Sequence, residues 1–144
     1  KVLCIMVRGR CECSLIKFKV TDSIKSLSYC HCGQCRRLHG AAYASWVRID
    51  TKSLHILAGG YQLKKYASSN ELNRYFCANC GSSIMCRPKV DETRSWLALG
   101  ILDGVFDLPE GEHMFFDSRP AWDNTEYTCT KWKGFPESWS GYAD

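Results

Sequence analysis

No segment of the 144-residue chain has the roughly 18 consecutive apolar residues that a membrane-spanning helix requires. The opening stretch Lys1-Val2-Leu3-Cys4-Ile5-Met6-Val7-Arg8 is too short and too interrupted for a signal peptide, so the expectation is a reducing, cytoplasmic setting without a membrane partner. Internal repeats and low-complexity runs are also missing, and no segment keeps a helical apolar stripe for three turns. Basic residues form no stripe. The densest groups, Arg36-Arg37 and Lys64-Lys65, are pairs that read as solvated surface. With 45% hydrophobic residues, the chain is expected to form a single domain, 1–144, with its own core. The stretch from Lys131 to Asp144 reads as a C-terminal arm that packs by its aromatic residues.

What the chain has in quantity is cysteine, ten in all. Seven fall in three tight groups, Cys11-x-Cys13, Cys30-x-Cys32-x-x-Cys35 and Cys77-x-x-Cys80, a spacing that metal thiolate sites use. A disulfide scaffold is the competing reading. It fits poorly, because cysteines with a single residue between them share one face of an extended strand but stand about 6.6 Å apart, whereas a disulfide needs Cβ atoms about 4 Å apart. Seven ligands suggest four plus three. A zinc ion closed by four thiolates is structural, whereas three protein ligands leave a position open for water or substrate. Seven ligating thiolates and two zinc ions together carry three negative charges, which lowers the formal charge from +4 to about +1. Electrostatic support for a nucleic-acid partner then largely disappears.

Period-two alternation dominates the rest of the chain. Ile16-Lys17-Phe18-Lys19-Val20 is the clearest case, with further strand candidates at Leu27 to Tyr29, Tyr43 to Ile49, Leu54 to Leu57 and Tyr61 to Tyr66. Later candidates run over Arg74 to Phe76, Ser82 to Cys86, Trp96 to Ile101 and Glu112 to Phe116. They are divided by turn signals such as Ala58-Gly59-Gly60, Arg87-Pro88 and Pro109-Glu110-Gly111. The expected fold is all-β, with at most a helical turn after Cys35. Phe76-Cys77-Ala78-Asn79-Cys80-Gly81 lies between two strand candidates in the manner of a zinc-ribbon hairpin, and Gly81 allows the positive φ that such a turn needs. Its two cysteines need two more ligands. Cys11 and Cys13, after the flexible Gly9, are natural suppliers, though spacing does not decide the pairing.

The order Gly9-Arg10-Cys11-Glu12-Cys13, Cys30-His31-Cys32-Gly33-Gln34-Cys35-Arg36 and Phe76-Cys77-Ala78-Asn79-Cys80-Gly81-Ser82 resembles the glutathione-dependent formaldehyde-activating enzyme (GFA) family, whose domain is shared with centromere protein V. Leu99-Gly100-Ile101-Leu102-Asp103 and Asp117-Ser118-Arg119-Pro120-Ala121-Trp122 are similar to two later signatures, so the likeness runs over about residues 9–122. The resemblance implies an Mss4-like β fold with two zinc ions per chain. Cys11, Cys13, Cys77 and Cys80 would hold a structural zinc, and Cys30, Cys32 and Cys35 a catalytic one. It also implies a carbon-sulfur lyase that joins a small thiol, glutathione, to formaldehyde or a similar small carbonyl, giving S-(hydroxymethyl)glutathione.

Zinc on three thiolates is a soft, weak Lewis acid, better suited to an incoming thiol than to making hydroxide. For proton transfer the nearby candidates are His31 and His39, with packing or support of the ligands as their alternative roles. Asp117 and Asp123 read either the same way or as turn caps. Trp122 reads as a pocket wall or a core aromatic. Arg36, Arg37, Arg87 and Arg119 are candidates for the glutathione carboxylates. Cys4, Cys86 and Cys129 lack partners at ligand spacing and read as small buried hydrophobes, with Cys86 near enough to Cys80 to approach a pocket. The functional alternative is a non-catalytic, zinc-stabilised binding module with a macromolecular partner. An open coordination position beside a pocket separates the two readings.

Overall fold

A computed structural model describes residues 6–139. Cys4 and residues 140–144 of the expected arm lie outside that range. The described residues form twelve strands, one α-helix and five short 3-10 turns, the mostly β architecture expected from the alternation. The strands are β1 (Val7–Arg10), β2 (Lys17–Val20), β3 (Ser26–Cys30), β4 (Ala44–Asp50), β5 (Leu54–Ala58), β6 (Leu63–Ala67), β7 (Leu72–Cys77), β8 (Ser83–Pro88), β9 (Arg94–Ala98), β10 (Leu102–Asp103), β11 (Gly111–Met114) and β12 (Thr130–Lys131). Helix α1 (Gly33–His39) follows β3.

Two sheets result. The smaller has the order β10-β1-β2-β5, and the larger β12-β11-β3-β4-β9-β8-β7-β6. Most pairings are antiparallel, but β11 runs parallel to both β3 and β12, which sets Met114 opposite Cys30 and His113 opposite Tyr29. Alternate residues of the central strands go to different cores. Val47 and Ile49 of β4 and Leu97 of β9 join Phe18, Val20 and Ile84 in one, whereas Trp46, Trp96 and Ala98 join Cys30, Cys35, Met114 and Trp139 in the other. Strands buried on both faces lose the polar half of their alternation, as Trp46-Val47 and Trp96-Leu97 show.

The boundaries differ from expectation where the backbone leaves the extended region. The run from Trp96 to Ile101 ends as a strand at Ala98 and continues as a 3-10 turn over Leu99–Ile101. The run from Glu112 to Phe116 stops at Met114, because Phe115 is left-handed with φ 53° and opens the 3-10 turn Phe116–Ser118. Tyr61 belongs to the turn Gly60–Gln62, so β6 begins only at Leu63. Gly9 is not a flexible joint but a strand residue, and a Cβ there would run into the Phe18 ring and the Ile101 carbonyl. The helical turn placed after Cys35 is instead a seven-residue helix capped by Cys32, whose sulfur accepts the Cys35 N–H at 3.3 Å. Among the described residues no helix is long and apolar enough to cross a membrane.

The 3-10 turn Glu137–Trp139 closes the second core. Trp139 stacks on Trp96 with ring centroids 4.1 Å apart and donates its Nε1–H to Ser28 Oγ at 3.1 Å. Both indoles are buried. Trp139→Ala is expected to cost about 3–5 kcal/mol of unfolding free energy, read as a lower urea midpoint. A loss below about 1 kcal/mol would contradict this packing.

Candidate metal centres and cavity

The first sulfur cluster joins the two sheets. Cys11 and Cys13 lie in the turn after β1, Cys77 ends β7, and Cys80 sits in the hairpin before β8. All four Sγ atoms lie within 4.8 Å of one another, with Cys11 3.5 Å from Cys13 and Cys13 3.8 Å from Cys77. Four sulfurs at about 2.3 Å around a tetrahedral zinc are about 3.8 Å apart, so the set has the spacing such an ion needs. Gly81 adopts φ 80°, as the hairpin requires, and donates its N–H to the Cys77 carbonyl at 2.8 Å. Ser82 Oγ accepts the Glu12 N–H at 2.9 Å and lies 3.2 Å from Cys80 Sγ, tying both turns together. The Ser82 hydroxyl, followed by the backbone N–H groups of Cys13 and Ser82, holds the Cys80 thiol down at about 5.

The second cluster is built on one β-to-α turn. Cys30 ends β3, Cys32 caps α1 and Cys35 lies in its first turns, so one local motif delivers all three sulfurs within 4.8 Å of one another. Among the described residues no fourth Cys, His or carboxylate ligand atom groups with them. Cys30 and Cys35 are buried, and Cys32 is half-buried. Three crowded thiols without a cation cannot all ionise. Hydrogen bonds from Cys30 and Cys35, with the Cys35 and Gln34 N–H groups, pull the Cys32 thiol down, while the contacts with Cys32 and Cys35 and then burial push Cys30 up. A soft cation accepting three thiolates fits this donor set.

These sulfurs open onto a cavity of about 270 Å³, walled mainly by Trp46, Leu72, Met114, Phe135 and Trp139. Its cation is Arg74 of β7, a residue the sequence analysis did not single out. Arg74 Nη2 donates to Cys35 Sγ at 3.4 Å and to Gln34 Oε1 at 3.1 Å, Nε donates to Ser68 Oγ at 3.3 Å, and the guanidinium lies 5.5 Å from the Trp46 ring centroid. Burial works against its charge, but the sulfurs of Cys35, Cys86 and Cys32 together outweigh it, so Arg74 is held firmly protonated.

The other candidates lie elsewhere. His31 points to the opposite side of β3 from Cys30, fully buried, with its Nε2 2.8 Å from Nδ1 of His113 and its ring among Tyr43, Phe116 and Tyr127. Burial pulls it down to about 4. His39 packs edge-on against Trp46 at 5.1 Å and is also pulled down to about 4 by burial. Neither lines the cavity. Asp123 is a buried acceptor for the Tyr127 hydroxyl and the Thr125 N–H, while Asp117 is exposed. Trp122 neither walls this cavity nor belongs to a core. It is 66% exposed, set beside Arg36 and Arg37 over the end of α1 by the turn at Pro120. Arg87 is engaged with Ser95, and Arg119 lies over Phe116 with its centre 3.8 Å from the ring centroid, so none of the four expected arginines reaches the cavity. Cys86 does reach its wall, where burial pushes the thiol up to about 12, and Cys129 is half-buried.

Since the thiolate is the reactive form, iodoacetamide is expected to label Cys32 of metal-free protein before Cys30 at neutral pH, with Cys86 unmodified. Peptide mass mapping reads the order. Labelling of Cys86 or Cys30 ahead of Cys32 would contradict the electrostatics described.

Comparison with known proteins adds to this geometry. A sequence profile described as glutathione-dependent formaldehyde-activating enzyme matches residues 6–118. A Schizosaccharomyces pombe protein named as an uncharacterized lyase is 29% identical over 112 residues, covering 78% of this chain and 80% of that one. The crystal structure of a Rhodobacter sphaeroides protein matches with a TM-score of 0.57 at 19% identity, over 87% of this chain and 98% of that one, which shows a shared fold. With the profile spanning well over half its length, the chain belongs to the glutathione-dependent formaldehyde-activating enzyme family.

Proposed function

We propose that the protein is a zinc-dependent carbon-sulfur lyase that joins a small thiol, glutathione, to formaldehyde or a similar small carbonyl, giving S-(hydroxymethyl)glutathione. The observation that carries this reading is the three-thiol cluster beside a cavity, with no fourth protein ligand grouped with it among the described residues. A purely structural second site would be closed by the protein. In this reading Cys11, Cys13, Cys77 and Cys80 hold one zinc, and Cys30, Cys32 and Cys35 hold the other. Bound to three thiolates, zinc supplies a soft Lewis acid with one position left, which lowers the pKa of an incoming thiol.

The chain's own residues do the rest. Arg74 donates to Cys35 and draws negative charge from the cluster, as partners of ligands do in metal sites. Gln34 and Ser68 fix the guanidinium, since Gln34 Oε1 and Ser68 Oγ accept from Arg74 while Gln34 Nε2 donates to the Ser68 carbonyl at 3.0 Å. Trp46, Trp139 and Phe135 exclude water from the reacting groups, and holding two reactants together there contributes to the rate. The nine described cysteines are all free, which suits the reducing cytoplasm proposed for this chemistry.

Zinc-loaded protein is expected to accelerate the exchange of glutathione and formaldehyde with S-(hydroxymethyl)glutathione, measured by exchange NMR against the uncatalysed rate. Cys35→Ser is expected to lose at least about 100-fold of that acceleration. Equal acceleration by the two proteins would take the reaction away from the three-thiol cluster, and no acceleration by fully loaded protein would remove this substrate pair.

A further inference from the structure

The cavity is larger and more apolar than formaldehyde requires. One water molecule needs only about 10–15 Å³ of cavity, whereas about 270 Å³ is present. Its walls are aromatic and aliphatic, formed by Trp46, Leu72, Met114, Phe135 and Trp139. Apart from the thiols, two ionisable groups line it: Glu71, which is exposed, and Arg74, only 9% exposed. Three contacts occupy Nε and Nη2 of Arg74, while Nη1 is buried without a hydrogen-bond partner. The guanidinium charge in the cavity wall instead favours a ligand that turns the negative end of a dipole toward it.

We propose that the electrophile this cavity receives is a neutral aldehyde bearing an apolar aryl or medium-length alkyl group, with its carbonyl oxygen turned toward the wall that Arg74 forms. The assignment rests on the lyase reading above and names its substrate class. The ionic body of glutathione, with two carboxylates and an ammonium, finds one cation inside and the Glu71 carboxylate among the lining groups, so it stays at the mouth while its sulfur enters. The sulfur lone pair forms the C–S bond, and the C=O π pair moves onto oxygen. That oxygen takes a proton from water at the mouth, and the proton lost by the thiol goes to solvent. The sum is thiol plus aldehyde giving a hemithioacetal, without oxidation or reduction. The attraction of the Arg74 guanidinium grows as the oxygen gains charge, so Arg74 acts most strongly on the transition state.

Benzamide and formamide are unreactive stand-ins for an aryl aldehyde and formaldehyde, and their binding to the zinc-loaded protein can be followed by tryptophan fluorescence without turnover. Benzamide is expected to bind at least about tenfold more tightly than formamide. Arg74→Gln should weaken benzamide by roughly tenfold and Arg74→Lys by less. Phe135→Ala, which leaves Arg74 in place, should narrow the benzamide preference by roughly tenfold and keeps the test valid if the arginine variants do not fold. Equal binding of the two amides, or benzamide binding unchanged in Arg74→Gln, would overturn the proposal. If glutathione and formaldehyde exchange without acceleration while benzamide binds as expected, the family reaction fails and the cavity assignment stands. If exchange is accelerated and the amides bind alike, the cavity assignment alone fails.

Discussion

Contact between sulfurs far apart in sequence is the constraint on which the structure depends. Cys13 and Cys77, 64 positions apart, bring their Sγ atoms to 3.8 Å, and with Cys11 and Cys80 they join the turn after β1 in the small sheet to the β7–β8 hairpin in the large one. Cys11 and Cys77 are completely buried and belong to the same core as Phe18, Val47 and Leu97. A cation on these four sulfurs would therefore be part of that core, and its binding energy would be folding energy.

The large sheet separates that joint from the chemistry. Residues that alternate along β4 and β9 fill two cores, and the three-thiol cluster belongs to the core opposite the one containing Cys77. Rigid strands hold Cys30 and Arg74, while the short helix α1 brings Cys32 and Cys35 back to them. The parallel pairing of β11 with β3 adds Met114 to the cavity side and His113 to the other. On that second side the buried pair His31 and His113 is caged by the half-buried Tyr43 and Tyr127, so the histidine pair is a packed element.

The grouping of the seven cysteines was legible because their spacing is local chemistry, and their number suggested four plus three, while the resemblance supplied which cysteines belong to each set. Alternation also revealed β2 through Phe18 and Val20. Two-residue strands such as β10 and β12 are too short to show a period. Arg74 stayed hidden for a different reason. An arginine in a strand reads as a solvated side chain, and its burial depends on the approach of Gln34 and Cys35, 40 and 39 positions away. The His31–His113 contact spans 82 positions and has no local signal either. Trp122 misled in the opposite direction, since an aromatic residue in a signature suggests burial, yet the turn at Pro120 leaves it on the surface.

The most direct test of the two-centre account is zinc stoichiometry by native mass spectrometry, combined with X-ray absorption at the zinc edge. The account predicts two zinc ions per chain sharing seven sulfur ligands, and one zinc with four sulfurs after Cys35→Ser. A single zinc in the wild-type protein, or disulfides within either cluster, would contradict it.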